Sequence, residues 1–147
     1  MKKQLFFILT ALISMPVFAQ KALDIKNPNI QSSGTHFVQP TTDKKWGNTN
    51  GDSFTKAKYS EYDGITFVKL SMAKDLNLSL QFDIKAEKGQ LEMQVVDSKN
   101  EILFQKSFIK NEIGNTEFAL KRGENYQIKF IGTRTKGSYF CQWIEKK

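Results

Sequence analysis

The sequence predicts an all-β fold, an antiparallel two-sheet β-sandwich of about seven to nine strands. Three observations carry this expectation. Apolar and polar residues alternate at period two along several stretches. Residues tolerant of turn conformations punctuate those stretches. No window of about 11 residues holds the 3.6-residue period of an amphipathic helix.

The chain of 147 residues opens on an export signal. Lys2 and Lys3 form a positive start, and residues 5–18 are apolar apart from Thr10, Ser14 and Pro16. Val17-Phe18-Ala19 places small residues at the −3 and −1 positions, which makes Gln20 the expected first mature residue. The apolar run falls short of the roughly 20 residues a membrane-spanning helix needs. Residues 1–19 are therefore read as a signal peptide of bacterial type, and the protein as exported, periplasmic or extracellular. The polar stretch 20–35, with Pro28 and Gly34, reads as an extended lead-in with a short strand near 23–25. The domain proper is 36–147.

The clearest strand is 76–85. Leu76, Leu78, Leu80, Phe82 and Ile84 face one way, and Asn77, Ser79, Gln81, Asp83 and Lys85 the other. One buried face and one wet face belong to an antiparallel sheet. Leu91, Met93 and Val95 repeat the pattern, as do Tyr126, Ile128 and Phe130. Residues 65–70 are β-rich, while 36–39, 53–59, 102–108 and 116–120 are weaker candidates. In the last strand Tyr139, Cys141 and Trp143 share a face, and Trp143 is assigned to the core. Turns are expected at Asp63-Gly64, Lys88-Gly89, Gly114-Asn115, Arg122-Gly123 and Lys136-Gly137, and at the polar tip 97–100. Two layers of inward-facing side chains, in a jelly-roll or immunoglobulin-like arrangement, suit a domain of this length.

Charge and rare residues narrow the function. The formal net charge is +7, but Arg122 and Arg134 are the only arginines among 22 basic residues. Phosphate and base recognition lean on the guanidinium fork, so nucleic acid is not the expected partner. Residues 121–147 carry seven bases against Glu124 and Glu145, a local excess able to attract an acidic polysaccharide or lipid headgroups. Cys141 is the only cysteine and reads as a small buried hydrophobe. His36 is the only histidine, so neither a zinc set nor a supported Cys141–His36 pair is expected. No cofactor and no metal are expected. Asn48, Asn50 and Asp52 offer alternating oxygens, but Gly51 precedes Asp52 and no closing Glu follows, unlike a calcium loop. Glu61 with Asp63, or Glu92 with a cross-strand neighbour, are the carboxylate pairs available to a glycosidase, without a cleft in the sequence to tune them.

Trp46, Tyr59 and Tyr62 lie in a polar region and form the candidate binding site. Exposed rings stack on a sugar face while Asn48 or Asp52 bind its hydroxyls. The competing structural role for Trp46 is to cap one end of the sandwich.

The segment 76–144 resembles small secreted bacterial β-sandwich domains of unknown function. The resemblance lies in Leu-Asn-Leu-Ser-Leu-Gln-Phe from Leu76, Lys-Gly-Gln-Leu-Glu-Met-Gln-Val-Val-Asp from Lys88, Arg-Gly-Glu-Asn-Tyr-Gln-Ile-Lys-Phe from Arg122 and Lys-Gly-Ser-Tyr-Phe from Lys136. It implies fold and export and carries over no functional residue. The leading functional expectation is an exported non-catalytic binding domain for a carbohydrate or cell-envelope component. The alternatives are a protein-interaction module, such as an inhibitor, adhesin or assembly partner, acting through a sheet face or edge, and a small hydrolase.

Overall fold

Long strands dominate the computed structural model, which describes residues 23–147. The expected signal peptide, residues 1–19, and residues 20–22 lie outside the described residues. Eight strands follow one another: β1 (Ile30–Ser32), β2 (His36–Lys44), β3 (Gly47–Asn50), β4 (Phe54–Met72), β5 (Leu76–Val96), β6 (Ile102–Phe108), β7 (Glu112–Leu120) and β8 (Asn125–Lys146). All pairings are antiparallel, with β8 between β4 and β5 at the centre. The period-two pattern predicts this: Leu76, Leu78, Leu80, Phe82 and Ile84 all point inward and are at most 8% exposed.

The sandwich is one continuous sheet folded over on itself. β4, β5 and β8 run through both layers. In the first layer β3 pairs with the start of β4, and β7 with the start of β5. In the second, β1 and β2 pair with the rest of β4, and β6 with the end of β5. Phe104 pairs with Val95, thirteen residues along β5 from Phe82. On a flat strand that separation is about 43 Å. The Phe82 and Phe104 rings nevertheless sit 6.2 Å apart, so the sheet doubles back.

The fold line follows register shifts at Tyr59/Tyr62 and Tyr62/Gly64 in β4 and at Ala86/Lys88 and Lys88/Gln90 in β5. Gly89 has φ +71°, and a Cβ there would lie 2.2 Å from the Arg134 carbonyl oxygen. At Gly137, φ +149°, a Cβ would lie 1.8 Å from the Lys85 oxygen. Only glycine fits such a bulge. Three expected turns are thereby corrected: Asp63-Gly64, Lys88-Gly89 and Lys136-Gly137 are bends within strands. Gly114-Asn115 lies inside β7. True turns form at Arg122-Gly123, where Gly123 has φ +77°, and at the 97–100 tip, where the Asp97 carboxylate accepts from the Lys99 and Glu101 amides.

The core merges both layers. Trp143, Tyr139 and Cys141 are each at most 2% exposed, as expected for that face of the last strand. Trp143 Nε1 donates to the Asp52 carbonyl at 3.0 Å, so the buried indole keeps its hydrogen bond. Burial pushes the Cys141 thiol well above its ordinary pKa, which keeps it protonated and inert.

The lead-in contributes to the sheet, though not where expected. Residues 23–25 form no strand; Ile30–Ser32 does, against Leu70 to Met72. The preceding stretch is stitched to the first layer by side chains instead. The Asp24 carboxylate accepts from the Ser53 amide at 2.9 Å, Gln142 Nε2 donates to the Leu23 carbonyl at 2.6 Å, and Asn27 Nδ2 donates to Glu145 at 2.8 Å.

Candidate functional site

Trp46 sits between β2 and β3, just after Lys45 with its left-handed φ of 50°. That turn inserts the indole into the open edge between the layers. It stacks on Tyr59 at 5.5 Å and meets Tyr62, Phe37 and Tyr139 edge-on at 5.2, 5.3 and 6.2 Å. Tyr139 in turn stacks on Phe130 at 3.8 Å. Trp46 is half-buried and caps the sandwich edge.

The expectation of three exposed rings is corrected at Tyr59 and Tyr62, which are 3% and 0% exposed. Tyr62 donates its hydroxyl to the Phe130 carbonyl and lies 3.1 Å from Thr66 Oγ1, which reaches the Tyr139 hydroxyl at 3.3 Å. Desolvation raises the pKa of Tyr62 to about 12 and pushes Tyr59 and Tyr139 upward as well, so these phenols stay neutral. The polar partners are engaged within the fold. Asn48 Oδ1 accepts from Trp46 Nε1 at 2.9 Å, and Asn50 Oδ1 accepts from the Thr35 and Thr55 hydroxyls. Asp52 is exposed, and its backbone oxygen holds Trp143. Among the described residues no group of three or more His, Cys, Asp or Glu side chains is placed to hold a metal ion.

The structure separates the hydrolase candidates. Cys141 points into the core, whereas His36 is exposed and stacks on Phe67 at 5.0 Å on the outer face of the second layer. Glu61 pairs with Lys44 at 2.8 Å, and that ammonium holds its carboxyl below the ordinary value. Asp63 accepts from the Arg134 amide instead of facing Glu61 as a partner. Within the basic excess of 121–147, two of the seven charges are engaged: Lys146 pairs with Glu117 and Lys136 with Glu87.

The strands assemble a different surface, which no local pattern announces. Cross-strand register places Val38, Ile65, Ile131, Glu92 and Ser107 in one row on the outer face of the second layer. His36, Phe67, Lys129, Gln94 and Gln105 form the adjacent row. Val38 is 43% exposed, and Ile65, Ile131 and Phe67 are half-buried, so an apolar ledge lies open on this face. Beside it Glu92 accepts from Gln94 Nε2, from Gln105 Nε2 at 2.7 Å and from the Ser107 hydroxyl at 3.4 Å. Gln90 Nε2 also donates to Ser107, at 3.2 Å. By accepting from both Nε2 groups, the carboxylate fixes the amide orientations of Gln94 and Gln105. The face thus pairs an apolar ledge with a pre-oriented polar row.

No protein-family model matches the chain, and no curated protein matches it in sequence. Among solved structures it is similar to a family 4 carbohydrate-binding module, at 14% identity and TM-score 0.47, over 72% of this chain and 78% of that one. It is similar to a family 35 module from Clostridium thermocellum at 12% identity and TM-score 0.44, over 80% and 92% of the two chains. A third likeness is to a carbohydrate-binding module of Cellvibrio mixtus lichenase 5A, solved with cellotriose, at 8% identity and TM-score 0.43, over 78% and 97%. At such identities and scores, no residue role passes from those modules to this chain.

Proposed function

We propose that the protein is an exported, non-catalytic domain that binds a carbohydrate along the outer face of its second layer. The observation that carries this reading is the Glu92-centred amide row beside the Val38–Ile65–Ile131 ledge. A pyranose ring offers an apolar C–H face and a rim of hydroxyls. The ledge, with the His36–Phe67 stack at its side, takes the first; Gln94, Gln105, Glu92 and Ser107 take the second. Each group needed is already held by a neighbour on the sheet, so little side-chain freedom is lost on binding. Trp46 and Asn48 serve this site only by holding the edge of the sandwich shut.

The test is isothermal titration of the purified protein against a panel of soluble neutral glycans. Saturable binding that weakens at least tenfold in Glu92→Ala supports the reading; a blank panel rejects it. Export is checked separately by N-terminal sequencing of the protein from the cell envelope or medium. The expected first residue is Gln20, and an intact Met1 contradicts export by cleavage.

A further inference from the structure

The outer face of the first layer carries a second feature. Lys58, Ser138 and Lys85 lie side by side in register across β4, β8 and β5. In the next outward-facing row stand Lys56, Phe140 and Asp83. Lys56, Lys58 and Lys85 are exposed, and none of them joins an ion pair among the described residues. Lys58 and Lys85 sit about 10 Å apart, two strand spacings, and Lys56 lies one side-chain repeat, about 7 Å, along β4. Asp83 is the one acid in these two rows. At the nearby fold line Lys88 pairs in register with Lys136, whose ammonium is 3.5 Å from Glu87.

We propose that this face binds an acidic polysaccharide, with Lys56, Lys58 and Lys85 meeting its anionic groups and Phe140 and Ser138 meeting a sugar ring between them. Cations with no ion-pair partner among the described residues, carried side by side on a sheet, make a local positive field, and a polymer with repeated anions satisfies all three together. Half-buried Phe140, packed on Phe54 at 6.1 Å, offers a flat apolar surface at the centre of the patch, and the Ser138 hydroxyl lies beside it. Lysines rather than arginines give point charges without the bidentate fork favoured for phosphate. Half-buried Phe140 lies within the sheet face instead of protruding, so the ring at the centre of the patch is not shaped to insert below lipid headgroups. The face is distinct from the neutral-sugar surface and fails or succeeds independently of it.

The test is affinity electrophoresis of the whole purified protein through gels containing polygalacturonate, with its fully methyl-esterified form as the uncharged control. The wild-type protein is expected to be retarded by the acidic polymer, less so as salt rises, and only weakly by the ester. The triple variant K56Q/K58Q/K85Q is expected to lose at least tenfold in affinity. A charge-matched control, K99Q/K110Q/K121Q, changes exposed lysines elsewhere and is expected to keep its affinity. Equal losses in both triples would reduce the effect to net charge and overturn the proposal. So would absence of retardation, or binding to phosphatidylglycerol vesicles without binding to the polymer. Glu92→Ala leaves this retardation unchanged, which keeps the two faces separable.

Discussion

Trp46→Ala separates a structural role for this ring from a ligand-contacting one. The indole is wedged between Phe37, Tyr59, Tyr62 and Tyr139 at centroid distances of 5.2 to 6.2 Å. Full truncation of a buried Trp costs about 3–5 kcal/mol, and a half-buried one about 2–3 kcal/mol. Loss of the Nε1 bond to Asn48 adds about 0.5–1 kcal/mol, a modest cost because the donor leaves with the ring and the exposed Asn48 Oδ1 takes up water in its place. The expected total is about 3 kcal/mol. For a domain of this size that lowers Tm by roughly 9–15 °C. Urea unfolding followed by Trp143 fluorescence gives the free energy, and titration of the still-folded variant at 15 °C gives glycan affinity. The variant is expected to bind within twofold of wild type. A loss of stability under about 1 kcal/mol together with abolished binding would refute the reasoning and return Trp46 to the ligand.

Two further perturbations probe the frame. Gly137→Ala forces a Cβ against the Lys85 carbonyl at a positive φ, so denaturant unfolding should show a loss of at least about 3 kcal/mol; a loss below 1 kcal/mol would contradict the fold-line geometry. Acid should release the N-terminal stretch: Glu145 is held below its ordinary pKa of 4.5 by Lys74 and then Asn27, and Asp24 below 3.8 by the backbone amides of Asp52 and Ser53. Depressed folded values mean these contacts contribute above the unfolded pKa and fade as pH falls through the folded one. Limited proteolysis should therefore cut within 23–29 faster at pH 3 than at pH 6, and equal rates at both would remove these carboxylates from the latch.

Much of the fold is legible in local pattern, and the reason is physical. A strand with one buried face writes its burial into alternate residues, as 76–85 does. What local pattern lacks is the distinction between a turn and a bend inside a strand. Gly64, Gly89 and Gly137 supply the same backbone freedom in either case, so strands expected separately at 76–85 and 91–95 prove to be one.

The candidate site was less legible. Tyr59 lies in phase with Ala57 and out of phase with Lys56 and Lys58, a signal of burial already present in the sequence. The polar neighbours of Trp46 obscure that its own turn drives it into the fold. The Glu92 row and the lysine patch depend on which strands become neighbours. Glu92, Gln105 and Ser107 meet only through the β5–β6 register. Lys58 and Lys85 share a row only because β8 lies between their strands.

The most direct measurement is calorimetric titration of wild type, Glu92→Ala and Trp46→Ala with one neutral glycan drawn from the panel, all at 15 °C. Carbohydrate binding on the second-layer face predicts saturable heat for wild type, at least a tenfold loss for Glu92→Ala, and near wild-type affinity for Trp46→Ala. Binding that survives in Glu92→Ala and vanishes in folded Trp46→Ala would contradict it and place the ligand at the β2–β3 edge.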